Sequence, residues 1–303
     1  MGNWNNILDE IQATGSTYDV IRRKYLDKLY EVTGRNVIAF YSGWLQKQQL
    51  AAGGYTGFAI TDADKNGLMT AVYKLDRSKG LDLILHTPGG DVAATESIVD
   101  YLRSMFGNDI RAIVPQLAMS CGTMIALSCK EVVMGKHSSL GPIDPQFRGL
   151  PAHGVIEEFE RAKREIAANQ ATIPVWQVIL SKYSPTFIGE CENAMKWAKE
   201  MTIEWLKTGM FDGLPEAQQT SDAIVAELAD HIQTKSHSRH ISVKRAADLG
   251  IKVVELESDP QLQEAVLSAH HAFVHTFAST PATKVIENHK GQAYIDQVLT
   301  MAK

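Results

Sequence analysis

Two short stretches carry residues of the types and spacing that acyl-transfer chemistry needs: Thr87-Pro88-Gly89-Gly90-Asp91 and Ala118-Met119-Ser120-Cys121-Gly122. A serine that attacks a carbonyl generates an oxyanion, and backbone N–H groups must meet that charge at short range. A Cβ beside the donors would crowd the substrate, so glycines suit the turn that offers them. Gly89 or Gly90 would give one N–H. A serine opening a helix adds the N–H of Cys121 and a dipole that favours negative charge. Each stretch alone also has an ordinary reading, Pro-Gly-Gly as a turn and Ser120 as an N-cap.

The elements around them give the pair its weight. Leu81 to His86 is a short apolar run bounded by Gly80 and by Pro88-Gly89-Gly90, which predicts a strand buried on both faces. Asp91 predicts the N-cap of a helix over Val92 to Met105, whose apolar residues recur at helical spacing. Ile110 to Val114 repeats the strand signal, and Thr123 to Cys129 has helical character. Parallel strands with right-handed crossovers bring both strand ends to one edge of the sheet, where open α/β sheets bind ligands. The glycines and the serine can meet there.

The segments TPGGDV, AMSCGTMIAL and EVVMGKHSSLGPIDPQ resemble the Clp-fold serine peptidases. The resemblance is specifically to the SDH (serine dehydrogenase) proteinase family, related to the Clp proteolytic subunit and to signal peptide peptidase A. Its core covers about residues 37 to 147, and SHSRHISVKRAADLGIKV and HHAFVHTFASTPATKVIENH resemble the same branch. The resemblance implies an α/β fold of the Clp/crotonase type, a spiral of ββα units with a mainly helical insertion and a C-terminal helical extension. It implies Ser120 as nucleophile, with Gly89 or Gly90 and the amide of Cys121 as oxyanion hole. It also implies peptide or protein substrates and a homo-oligomer. A crotonase-type acyl-CoA enzyme, or a silent scaffold that binds peptides, would share the fold without needing Ser120.

The proton acceptor departs from the Clp subunit's pattern. Aligned through EVVMGKHSSLGPIDP, the place of that enzyme's histidine is held by about Pro142, with His137 in the approach to the strand. Another group must take the serine's proton. Related Clp-fold peptidases use a lysine, which works if burial leaves its amine neutral. By that resemblance Lys163, 43 residues after Ser120, is the preferred base and makes a Ser-Lys dyad. Lys163 also lies among Glu157, Glu158, Glu160, Arg161, Arg164 and Glu165, a pattern typical of a solvated helix face. Lys182 is a second lysine candidate. Aligned through AADLGIKV, the aspartate of the Clp triad falls near Ser238, so His237 could restore a Ser-His pair from the other side, with His240 nearby.

Other constellations are weaker. Asp62-x-Asp64-x-Asn66-Gly67 starts like a calcium loop, but its twelfth position is Tyr73 rather than glutamate, so a turn and helix start is the better reading. His271 and His275 are spaced to chelate zinc beside His270, yet HAFVH has no glutamate and no third ligand is evident. No metal and no cofactor is expected. Three cysteines without C-x-x-C spacing fit a reducing compartment, and Cys121 is a rival nucleophile beside Ser120.

A chain of 303 residues, 45% hydrophobic and 21% charged, has room for one large globular domain with an appendage or for two. Its net charge of −5 and pI near 6.1 argue against nucleic acid as main partner. No apolar run reaches the ~20 residues of a membrane span, and MGNWNNILDEI lacks the pattern of a signal peptide, so a cytoplasmic protein is expected. Four segments are expected: an N-terminal helical segment over 1–35, a core with the nucleophile over 36–150, a helical insertion over 151–235, and a return with C-terminal helices over 236–303. Within the core, Val37 to Tyr41 and Gly57 to Thr61 read as strands, with a helix from Lys65 to Leu75. The insertion is a candidate lid or oligomerisation arm.

Overall fold

The structure is a computed structural model that describes residues 4–14, 18–147, 150–229 and 238–298. Its centre is a seven-stranded sheet in which five strands run parallel. These are β1 (Asn36–Ser42), β2 (Leu81–His86), β3 (Ile110–Val114), β5 (Glu131–Met134) and β10 (Val253–Glu255). β11 (Ala282–Asn288) pairs antiparallel with β1, and β12 (Ala293–Gln297) extends that edge. β1 and β2 are buried along their whole length, as strands covered on both faces should be.

Alternation along the strands assigns their side chains to two helical layers. Leu81, Leu83 and Leu85 join a large core with α4 (Asp64–Val72), α5 (Val92–Phe106) and α6 (Cys121–Leu127). Ile84 faces the other way, into a core with α2 (Tyr18–Thr33) and the long C-terminal helix α12 (Pro260–Ser279). α1 (Trp4–Thr14) packs on α12 through Ile7 and Ile11.

After β8 (Leu150–Pro151) the chain is helical through α7 (Ala152–Ala168), α8 (Ile173–Leu180), α9 (Phe187–Thr208) and α10 (Ala217–Ala229). Ala198, Trp205 and Leu206 of α9, and Ile224 and Leu228 of α10, are part of the main core. The first part of α9 packs instead with α7 in a small separate cluster around Val155 and Cys191. α11 (Val243–Asp248) then leads back to β10.

A small second sheet joins β4 (Leu117–Ala118), β6 (Ser139–Leu140) and β9 (Ile241–Ser242). A single bridge between Thr87 and Ala118 ties it to the main sheet beyond the end of β2. The segment Gly57–Thr61 is not a strand. It is a turn-rich loop with a single backbone bridge, from Ile60 to Gly90. No helix among the described residues is long and apolar enough to cross a membrane.

Candidate active site

Ser120 sits at the sharp step from β4 to α6. The Gly122 N–H donates to the Met119 carbonyl at 2.8 Å, closing a tight turn whose first central residue is Ser120 at φ 52° and ψ −120°. That is the position that a type II′ turn normally gives to glycine, and a side chain there costs on the order of 1–3 kcal/mol. The surroundings enforce it. Met119 N–H donates to the Thr87 carbonyl at 3.0 Å, and all seven residues of α6 are buried, so neither side of the turn can relax. A strained serine between a strand and a helix is how hydrolases expose a nucleophilic hydroxyl.

The Gly89-Gly90 turn lies directly against it. Gly89 has φ +96°, and a Cβ there would stand 2.6 Å from the Ser120 Cβ. A Cβ on Gly90 would run into the backbone of Ile60. The polar groups of the two glycines are nearly all engaged. Gly89 N–H donates to Thr87 Oγ1 at 3.2 Å, the Gly89 carbonyl accepts from Ile60 N–H at 2.8 Å, and the Gly90 carbonyl accepts from Cys121 Sγ at 3.1 Å. The N–H of Gly90 and the N–H of Cys121 donate to no group among the described residues. Asp91 caps α5, its Oδ1 accepting from Ala94 N–H at 2.8 Å.

Gly89, Gly90, Ser120 and Cys121 line one cavity of about 440 Å³. The rest of its wall is mostly apolar: Ala59, Val92, Met124, Ile143 and Pro145, with Ala194 and Trp197 contributed by α9. Cys121 is 1% exposed, and burial pushes its thiol pKa up, which keeps it protonated as a donor to Gly90 and makes it a poor nucleophile.

Residues 11–261 match the family described as ClpP-like SDH-type serine proteinase. The chain belongs to that family. It is also similar to two uncharacterized proteins of Methanocaldococcus jannaschii. One is 37% identical over 38% of this chain and 40% of its own length, and the other 29% identical over 64% of this chain and 59% of its own length. The chain thus spans less than two thirds of either relative.

The family chain does not bring its lysine candidates to the serine. Lys163 lies on α7 with its side chain 71% exposed and its Nζ 2.6 Å from Glu160 Oε1, and it does not line the cavity. Lys182 is exposed in the turn after α8 and does not line it either. His237 lies outside the described residues, and His240 is exposed beside Arg239 and Arg245 in a separate cleft. Among the described lining residues there is no lysine, arginine or histidine, and Asp91 is the one carboxylate.

The other constellations have structural partners. Asp64 binds Lys284, with Nζ at 2.8 and 2.9 Å from its two oxygens. His270 contacts the Tyr41 hydroxyl at 3.2 Å, and His275 Nε2 lies 3.2 Å from the Trp4 carbonyl. His86 is enclosed by Tyr41, Trp44 and His270, and burial lowers its pKa to about 3. The nearby Leu117 carbonyl offsets this only in part, because it does not reach hydrogen-bonding geometry. Sequence reasoning missed the contributions of Ala59, Ala194 and Trp197. A one-residue bridge and a helix packing from the insertion leave no local pattern.

Proposed function

We propose that this family member is a serine endopeptidase that cleaves peptide or protein substrates through an acyl-enzyme on Ser120. The observation that carries the reading is the strained turn at Ser120, facing a cavity beside two amides, of Gly90 and Cys121, that have no acceptor among the described residues. A substrate carbonyl placed there would direct its oxygen at the two N–H groups while Ser120 Oγ attacks its carbon. As Oγ bonds to carbon, its proton passes to a base. Collapse of the tetrahedral intermediate returns a proton to the leaving amine, and water then releases the acyl group. The apolar wall suits an uncharged side chain beside the scissile bond.

With Lys163 as base, giving a Ser-Lys dyad, its side chain must leave Glu160 on the same helix and α7 must present the amine to the cavity. The alternative, His237, is favoured by one observation: a described residue before its segment bonds to the cavity-wall residue Ile143, and one after it pairs with Leu140, three residues before Ile143. The Leu228 carbonyl accepts from Ile143 N–H at 3.1 Å, and Ile241 pairs with Leu140. We further propose a ββα spiral, a homo-oligomer and a cytoplasmic setting, the last in keeping with three buried cysteines in the free thiol form.

The test is hydrolysis of an unfolded protein and of fluorogenic peptides. Ser120→Ala should lower the rate by several orders of magnitude with the far-UV spectrum unchanged. Lys163→Arg should be as inactive as Lys163→Ala if Lys163 is the base, because arginine cannot give up its proton. Loss in His237→Ala with tolerance at 163 assigns the histidine instead. Wild-type rates in Ser120→Ala would overturn the nucleophile, and a well-folded wild type without hydrolysis would favour a binding scaffold.

A further inference from the structure

The Gly89-Gly90 turn is held from a strand two places away in the sheet by a buried ion pair. Ile60 is the residue that grips the turn: its N–H donates to the Gly89 carbonyl at 2.8 Å and its carbonyl accepts from Asp91 N–H at 2.9 Å. These two bonds straddle Gly90 and fix the direction of its free N–H. Yet Ile60 belongs to a loop without a regular ladder, so its own position must come from tertiary anchors.

The anchors on either side of Ile60 converge on one side chain. Lys284 of β11 is 1% exposed at its side chain, and its Nζ donates to the Ala59 carbonyl at 2.7 Å and to both oxygens of the fully buried Asp64. Asp64 Oδ2 in turn accepts from Thr61 N–H at 2.9 Å. The residues before and after Ile60 are therefore tied to the same pair. A buried ion pair is often no more stabilising than well-packed apolar residues, so its placement here calls for a positional reason.

We propose that Lys284, acting through Asp64 and the 59–61 segment, is a positioning residue for the oxyanion-binding amide of Gly90. The proposal rests on the reading of Ser120 as nucleophile. Lys284 lies beyond residues 11–261, so the family match assigns it nothing.

The experiment compares wild type with Lys284→Met/Asp64→Leu, which removes both charges while keeping apolar bulk, and with Asp64→Asn, which keeps the Lys284 contact to Ala59 but leaves the buried ammonium without its counter-charge. Two readouts are taken: hydrogen exchange at the Ile60 and Asp91 amides, and steady-state kinetics on a fluorogenic peptide. The double variant should retain its denaturation midpoint within a few degrees, exchange these two amides about tenfold or more faster, and lose about 10–100-fold in kcat with KM within about twofold, because small misplacements of catalytic groups are costly. Asp64→Asn should fall between the two. Unchanged exchange and unchanged kcat in either folded variant would overturn the proposal. If wild type shows no hydrolysis, the Ser120 reading fails, while unchanged or accelerated exchange still decides whether Lys284 holds the turn.

Discussion

The cavity wall that carries Gly89, Gly90, Ser120 and Cys121 and the wall supplied by the helical segment after Pro151 differ in what holds them. On the first, nearly every polar group is bound to a specific partner, and α6 behind it is fully buried. On the second, charges pair along exposed helix faces, as in Lys163 with Glu160, Arg161 with Glu165 and Lys196 with Glu200. Such pairs contribute only a few tenths of a kcal/mol each. The same segment exposes Val175, Val178 and Trp197. Geometry held by specific partners is built on the core, and the more adaptable surface is built on helices with solvated faces.

The strongest way to break this contrast is to disturb the rigid wall where it has no slack. Gly90→Val would drive a side chain into the Ile60 backbone and displace the proposed oxyanion donor. A loss of about 10²–10³ in kcat is expected, as for removal of one such donor elsewhere. Steady-state kinetics on the purified variant checks it, and full kcat in a folded variant would make the Gly-Gly turn purely structural.

Acid should act on the core in the same selective way. His86 sits three residues before Gly89 on the opposite face of β2, and burial holds its pKa near 3 against 6.5 for a free imidazole. Between those values the unfolded chain binds a proton that the folded chain refuses, so unfolding gains on folding as pH falls. The contribution of neutral His86 is fully present above pH about 6.5 and declines by about 1.4 kcal/mol per pH unit on the way to pH 3. His270, whose pKa burial also depresses, acts in the same direction. Denaturant midpoints measured across this range should show the slope, and His86→Phe should flatten it. A flat profile in wild type would contradict the burial of a neutral imidazole.

A smaller effect sharpens the comparison by separating strain from function. Ser120→Gly removes a side chain from a backbone conformation that glycine adopts freely, so a net gain of up to about 1 kcal/mol in stability is expected after the greater freedom of glycine in the unfolded chain. Activity should vanish. Ser120→Ala, which keeps the strain, should lose activity without that gain, and a midpoint for Ser120→Gly below that of Ser120→Ala would show that the turn carries no strain.

What was legible in the sequence follows the range of the interactions. Leu81–His86 and Ile110–Val114 are strands as read, because a short apolar run between turn residues is a local signal. Asp91 caps its helix as its type and position predict. The meeting of Gly89, Gly90 and Ser120 followed from two parallel strands ending on one edge. Gly57–Thr61 was misread because its apolar alternation fits a strand, whereas only Ile60 makes a backbone bridge and its neighbours are held by side chains. The charged surroundings of Lys163 pointed to a solvated face, and that is where α7 puts it. Lys284 gave no sign, since a lysine in a strand finds a buried carboxylate 220 residues away only through the assembled sheet.

The most direct measurement is covalent capture of the nucleophile. Folded wild-type protein is incubated with a fluorophosphonate probe, digested, and the modified peptide mapped, with Ser120→Ala alongside. Modification confined to Ser120, and absent in the variant, is the predicted result. Folded protein that takes up no probe, or takes it up at a residue other than Ser120, would contradict the assignment of Ser120 as the catalytic nucleophile.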